Sequence, residues 1–238
     1  MTTFVLIHGA WHGGWCWKKV APLLRQAGVE VHAPTLSGLG DRAHLSEHLD
    51  PAAIDLDLHR QDVVRLLEYE DLTDVILVGH AYGGMVITSV AETCPERLQH
   101  LVYVNGVVPN DGEAMVDQLE IVRGSEFTSW IRSCLDRGDP FLPPPATPQE
   151  VGKRWGITDP VDLAWVGARV TPHPAASFAQ PIRLGRTEAS AVRRSFVGSS
   201  EAGFESVAER VKEAGWGTYH IDSGHDPMIT NPEDLTEI

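Results

Sequence analysis

Residues 75–91 dictate more of this chain's fold than any other stretch. Four aliphatic residues, Val75-Ile76-Leu77-Val78, run into Gly79-His80-Ala81-Tyr82-Gly83, and Gly84-Met85-Val86-Ile87-Thr88-Ser89-Val90-Ala91 follows. A buried strand, a sharp turn and a helix folded back on that strand satisfy the pattern. Glycines are required on both sides because the central residue sits in a strained turn, where larger neighbours would collide with the adjacent strand or helix.

The rest of the chain repeats that alternation of short apolar runs with helical patterns, which predicts a mostly parallel, twisted sheet covered by helices on both faces. Strands are expected near residues 3–8, at Val29–Ala33 before Pro34, at 75–78, at Leu101–Val104, at Val192–Val197 and at Thr218–Ile221. Helices are expected over Trp17–Ala27, 54–69, 203–213 and from about Asn231. Between 109 and 183 no strand pattern persists; Pro143-Pro144-Pro145 and further prolines are scattered among Trp130, Trp155 and Trp165. This segment reads as an inserted helical cap at the edge of the sheet, where ligand pockets form. Residues 1–108 and 184–238 then make the core of one structural domain.

Of the 238 residues, 42% are hydrophobic and 22% charged, enough to bury a substantial core. The formal net charge of −14 argues against nucleic acid or an anionic membrane as partner, since either calls for a basic face. Cys16, Cys94 and Cys134 have no metal-ligand spacing and suit a reducing compartment, with a catalytic cysteine as the minor alternative. The N-terminus passes from Met1 into a strand without a signal-like segment, and no apolar run is long enough for a bilayer, so a cytoplasmic location is expected. No residue pattern calls for a metal or cofactor. A homodimer is the default for a soluble enzyme.

The chemistry follows from the turn. In this strand–turn–helix setting Gly-x-Ser-x-Gly presents a nucleophilic hydroxyl; here Ala81 keeps the geometry and lacks the hydroxyl. Acyl transfer also needs a histidine base, an acid that orients it, and amide donors for the oxyanion. His225, in Gly224-His225-Asp226 after the last strand, is the candidate base; a structural loop histidine is the alternative. The N–H groups of Tyr82 and of Ala10, in the glycine-rich loop His8–Trp15, are the candidate oxyanion donors. Glu201, after the strand at 192–197, is the candidate acid, although a helix-start carboxylate would look the same. Asn105 occupies another position from which such an acid can come, but an amide cannot hold an imidazolium's charge well. An aromatic pocket is expected, drawing on His12, Trp15, Trp130 and Trp165, with His12 and Tyr82 near its mouth and Asn105 also touching substrate.

The segments Phe4–Trp15 and Val78–Met85, with Gly224-His225-Asp226 and Gly156-Ile157-Thr158-Asp159-Pro160, resemble the hydroxynitrile lyase and plant methylesterase branch of the α/β-hydrolases. They are more similar still to bacterial esterases of that branch, such as the carbendazim-hydrolysing type. The resemblance covers most of the chain and implies an α/β-hydrolase fold and a small ester-like substrate. It also exposes departures. The family has serine where this chain has Ala81, and bacterial relatives carry Asp where it has Asn105. The lyases use a threonine and a lysine where Ala10 and Asp226 stand, which argues against cyanohydrin cleavage.

The leading expectation is a carboxylic-ester hydrolase, for an aromatic or methyl ester, carbamate or lactone, captured as a Ser-to-Ala variant at position 81. Two alternatives stand beside it. One is a natural lyase, cyclase or isomerase with His225 as general base. The other is a non-catalytic receptor for a small molecule.

Overall fold

The computed structural model describes residues 2–238. Six parallel strands form the main sheet: β1 Thr3–Ile7, β2 Glu30–His32, β3 Val75–His80, β4 Leu98–Val104, β7 Arg193–Ser199 and β8 Gly217–Ile221, in the order β2-β1-β3-β4-β7-β8. Parallel strands need crossovers, and the helices α1 Val20–Gln26, α2 Leu56–Tyr69, α3 Gly83–Thr93 and α9 Glu205–Glu213 supply them. The central strands are therefore apolar on both faces, with Val5, Ile7, Leu77 and Leu101 fully buried. The first expected helix is split: a 3-10 turn covers Gly14–Lys18 before α1 begins at Val20.

Residues 109–183 hold most of the departures from expectation. Their helices are α4 Met115–Asp136, α5 Pro148–Trp155, α6 Pro160–Gly167 and α7 Ala176–Ala179. Helix α4 is interrupted at Gly124, whose φ of 77° no helix interior allows. A two-stranded antiparallel ribbon, β5 Phe141–Leu142 with β6 His173–Pro174, also lies here, too short to leave an alternating pattern in the sequence. Pro148 and Pro160 stand at first helical positions, where the missing N–H costs nothing, so these prolines start helices rather than marking loops. Helix α8, Thr187–Ala191, returns the chain to β7.

The register sets up the site. Ile7 pairs with Gly79 and His80 with Val104, so the turns after β1, β3 and β4 emerge side by side. Ser199 pairs with Ile221 at the far end of β7 and β8. Ligands of open α/β sheets bind beyond such carboxyl ends.

Candidate active site

Ala81 has φ 49°, a left-handed conformation that side chains rarely adopt and that costs on the order of 1–2 kcal/mol. The turn is enforced by contacts around it. A Cβ on Gly79 would lie 2.6 Å from the Gly83 carbonyl oxygen, and one on Gly84 would lie 2.2 Å from that of Val107. Main-chain bonds from Gly84 and Val107 to the Ala81 carbonyl, 3.0 and 3.1 Å, close the turn. The Ala81 methyl and the imidazole of His225 line one cavity of about 730 Å³, together with Ala10, Tyr82 and His12. Among the described residues no acceptor is found for the N–H of Ala10 or of Tyr82.

His225 is buried, its ring stacked on Phe204 at 5.6 Å between centroids. Its Nδ1 is buried and has no partner among the described residues. Burial, reinforced by the nearby Arg123, His80 and His12, pushes its pKa well below the usual imidazole range, so the ring is neutral.

The expected acid does not reach it. Glu201 is exposed; its main-chain N–H bonds to the Ser223 carbonyl at 3.3 Å, and no bond links its carboxylate to His225. Strand β7 runs on to Ser199, so Glu201 falls beyond the sheet edge and turns to solvent. Asn105 is buried at φ 42° and does not touch the cavity or the imidazole. Its Nδ2 donates to Ser199 Oγ at 2.7 Å and to the main-chain carbonyl of His225 at 3.0 Å, while its Oδ1 accepts from Ser199 N–H at 2.8 Å. It ties three loops together and holds the backbone of His225.

A carboxylate that the sequence does not single out lies beside the site. Asp226 is wholly buried, with Oδ2 3.0 Å from His12 Nε2 and Oδ1 3.4 Å from His80 Nε2. His12 Nδ1 faces the Ala10 carbonyl oxygen at 2.7 Å, so both ring nitrogens meet acceptors and both carry protons. Burial opposes that charge, but Asp226 and the Ala10 carbonyl outweigh it and raise the His12 pKa. His80 donates from Nε2 to the His225 carbonyl at 3.0 Å, and burial lowers its pKa to about 4. His12 and Tyr82 are thus interior groups rather than rim groups; the Tyr82 hydroxyl reaches His59 at 2.9 Å.

Ligand atoms of His80, His225 and Asp226 lie within 4.8 Å of one another, close enough to hold a cation. The His12 Nε2–H already points at Asp226 and the His80 Nε2–H at the His225 carbonyl, which favours the hydrogen-bonded cluster instead. Among the tryptophans, Trp130 lines the cavity as expected, whereas Trp15 and Trp165 pack edge to face at 5.1 Å outside its lining. Trp11 and Trp155 take their place. The three cysteines are free and buried. No described helix is long and apolar enough to cross a membrane.

A strained turn after the third strand of a parallel sheet, with a buried histidine after the last, is the plan matched by the family model described as "Alpha/beta hydrolase family", which covers residues 4–238. The chain belongs to that family. A carbendazim hydrolyzing esterase of Nocardioides is 35% identical over 246 residues, spanning 100% of this chain and 98% of its own. An extracellular alpha/beta-hydrolase from Paenibacillus superposes with a TM-score of 0.82 at 22% identity, over 100% and 97% of the two chains. Tomato methylketone synthase I, solved with 2-tridecanone, gives a TM-score of 0.77 at 25% identity over 99% and 95%. The esterase relative supports an ester-acting hydrolase.

Proposed function

We propose that the cavity binds a small carboxylic ester, of the aromatic or methyl ester, carbamate or lactone class, with its carbonyl oxygen between the N–H groups of Ala10 and Tyr82. Acyl transfer at this site requires a hydroxyl at position 81, and the chain with Ala81 holds such an ester without turning it over. The observation that carries this reading is the retention of a costly left-handed turn at Ala81, opposite a neutral imidazole and beside two amides without acceptors. With a serine there, His225 takes the hydroxyl proton as the oxygen attacks the carbonyl carbon. The amides stabilise the resulting oxyanion. His225 returns the proton to the departing alcohol, and water then cleaves the acyl-enzyme by the same route. Residues 109–183 act as the cap that closes the cavity against water.

The test is Ala81→Ser, assayed on p-nitrophenyl esters beside the unaltered chain. Hydrolysis is expected only in the serine form and is lost again with His225→Ala. A folded Ala81→Ser protein that hydrolyses none of the panel overturns the reading.

A second reading is favoured by the His225 ring, which has no carboxylate partner, and by the amide at Asn105. Acyl transfer without an acid to steady the imidazolium is slower by about 10⁴; a reaction through an enolate needs only a neutral base and the two amides. Similarity to a methylketone synthase solved with a ketone supports a carbonyl ligand of that kind. Turnover of a non-ester carbonyl compound by the unaltered chain, abolished by His225→Ala, is its expected signature.

A further inference from the structure

Three cations line the cavity, Arg123, Arg154 and the exposed Lys153, and acyl transfer uses none of them. Arg123, just before the break in α4, and Arg154, in the last turn of α5, both line it. The Arg154 guanidinium carbon lies 4.8 Å from the ring centroid of Phe127, 5.3 Å from that of Trp11 and 5.5 Å from that of Trp130. Aromatic faces attract the charge but accept no in-plane N–H, and Arg154 Nη1 is buried with no acceptor among the described residues. Arg123 is drawn in beside it, its Nη1 donating to the Arg154 carbonyl at 3.4 Å.

Neither guanidinium forms an ion pair among the described residues. Glu126 also lines the cavity but pairs with neither arginine, and the two acids whose charge acts on them are Glu150 and Asp226. Glu150 caps the start of α5, accepting from the N–H groups of Ala146 and Thr147 at 2.7 and 3.1 Å. Asp226, whose charge reaches Arg123, is bonded through Oδ2 to His12. A chain with 33 acidic residues and only 19 lysines and arginines has no shortage of counter-charges, yet it leaves these two cations without one. An arginine cannot shed its proton at neutral pH to escape burial, so the fold keeps an unmet demand for an anion here. Burial, with the like charge of Arg154 beside it, lowers the Arg123 pKa to about 10.

We propose that Arg123 and Arg154 form an anion subsite, so that the ligand of this cavity carries a carboxylate in addition to the carbonyl held by the amides of Ala10 and Tyr82. The inference rests on the cavity being the substrate site and narrows its ligand to a half-ester or an oxo acid. The planar guanidinium forks suit a carboxylate, and Phe127, Trp130 and Trp155 flank an apolar body between the two ends.

The experiment is a calorimetric titration of the full chain with 4-phenylbutanoate and, separately, with its methyl ester, at neutral pH. The acid is expected to bind at least about tenfold tighter than the ester, a difference of about 1.4 kcal/mol. Arg123→Met and Arg154→Met are expected each to remove most of that preference while leaving ester affinity within about twofold, and Arg154→Lys to keep part of it. Thermal melts of each variant check folding, and Arg154→Lys provides the charged control should a methionine variant fail to fold. Equal affinity for acid and ester overturns the proposal, as does binding of neither, or a preference that survives in both folded methionine variants. The Ala81→Ser assay is independent of these arginines: ester hydrolysis there without acid preference here removes the anion subsite and leaves the ester site standing.

Discussion

A single carboxylate, Asp226, stands at the junction of two histidines from distant parts of the chain, and its burial makes it indispensable. Removing one member of a buried charged cluster strands the others, at a typical cost of about 3–5 kcal/mol. Asp226→Asn is therefore expected to lower stability by about 3 kcal/mol, read as a reduced urea midpoint, with His12 losing its proton at neutral pH. An unchanged midpoint would show that the cluster is neutral in the folded chain. Asn105 offers the opposite test. In the Ala81→Ser background, Asn105→Asp brings a negative charge next to the His225 main chain, where it favours the imidazolium that forms during acyl transfer. The expected outcome is a rise in kcat of about tenfold or more, since loss of a triad acid costs about 10⁴. Both positions show the limit of reading roles from sequence offsets: Glu201 had the usual separation from its strand, and two extra residues of β7 carried it out to solvent.

At the scale of elements, the turn joining β3 to α3 is held by backbone packed on backbone. The helix start at Gly83–Gly84 presses against the ends of β1 and the segment at Val107, with no room for a methyl group. Gly84→Ala is expected to destabilise the fold by about 4 kcal/mol or to prevent soluble expression, because a main-chain carbonyl cannot move aside as a side chain can. A substitution tolerated at wild-type melting temperature would refute that packing account. The elements around this turn were legible for a simple reason: buried parallel strands are continuous apolar runs, and their ends are punctuated by glycine and proline. Helix α4 was not legible as one broken element, because Gly124 sits within a stretch that otherwise has helical composition.

For the whole molecule, the acid side of the stability profile is set by buried histidines. Free imidazole titrates near 6.5, but burial lowers His80 to about 4 and His8 to about 3, and lowers His59, His173 and His225 as well. Below pH 6.5 the unfolded chain takes up protons that the folded chain refuses, so stability falls as pH drops from 6.5 toward 4, by up to about 1.4 kcal/mol per unit for each such ring. His12 acts with the opposite sign: its raised pKa contributes stability that is complete below 6.5 and lost as pH rises past the folded value. With the part-buried His100, also lowered, six rings outvote one. The urea midpoint is expected to be lower at about pH 5 than at about pH 7, and a higher midpoint in acid would contradict these assignments.

The sheet, the strained turn at Ala81 and the late histidine are legible in the chain alone, because apolar periodicity and glycine punctuation are local signals that a chain carries wherever it folds. Tertiary structure alone decided the pairing of His12 with Asp226 across 214 positions, the tie from Asn105 to the His225 backbone, and the meeting of Arg123 with Arg154. Such contacts depend on register, crossover and loop length together. No single stretch of the chain contains them.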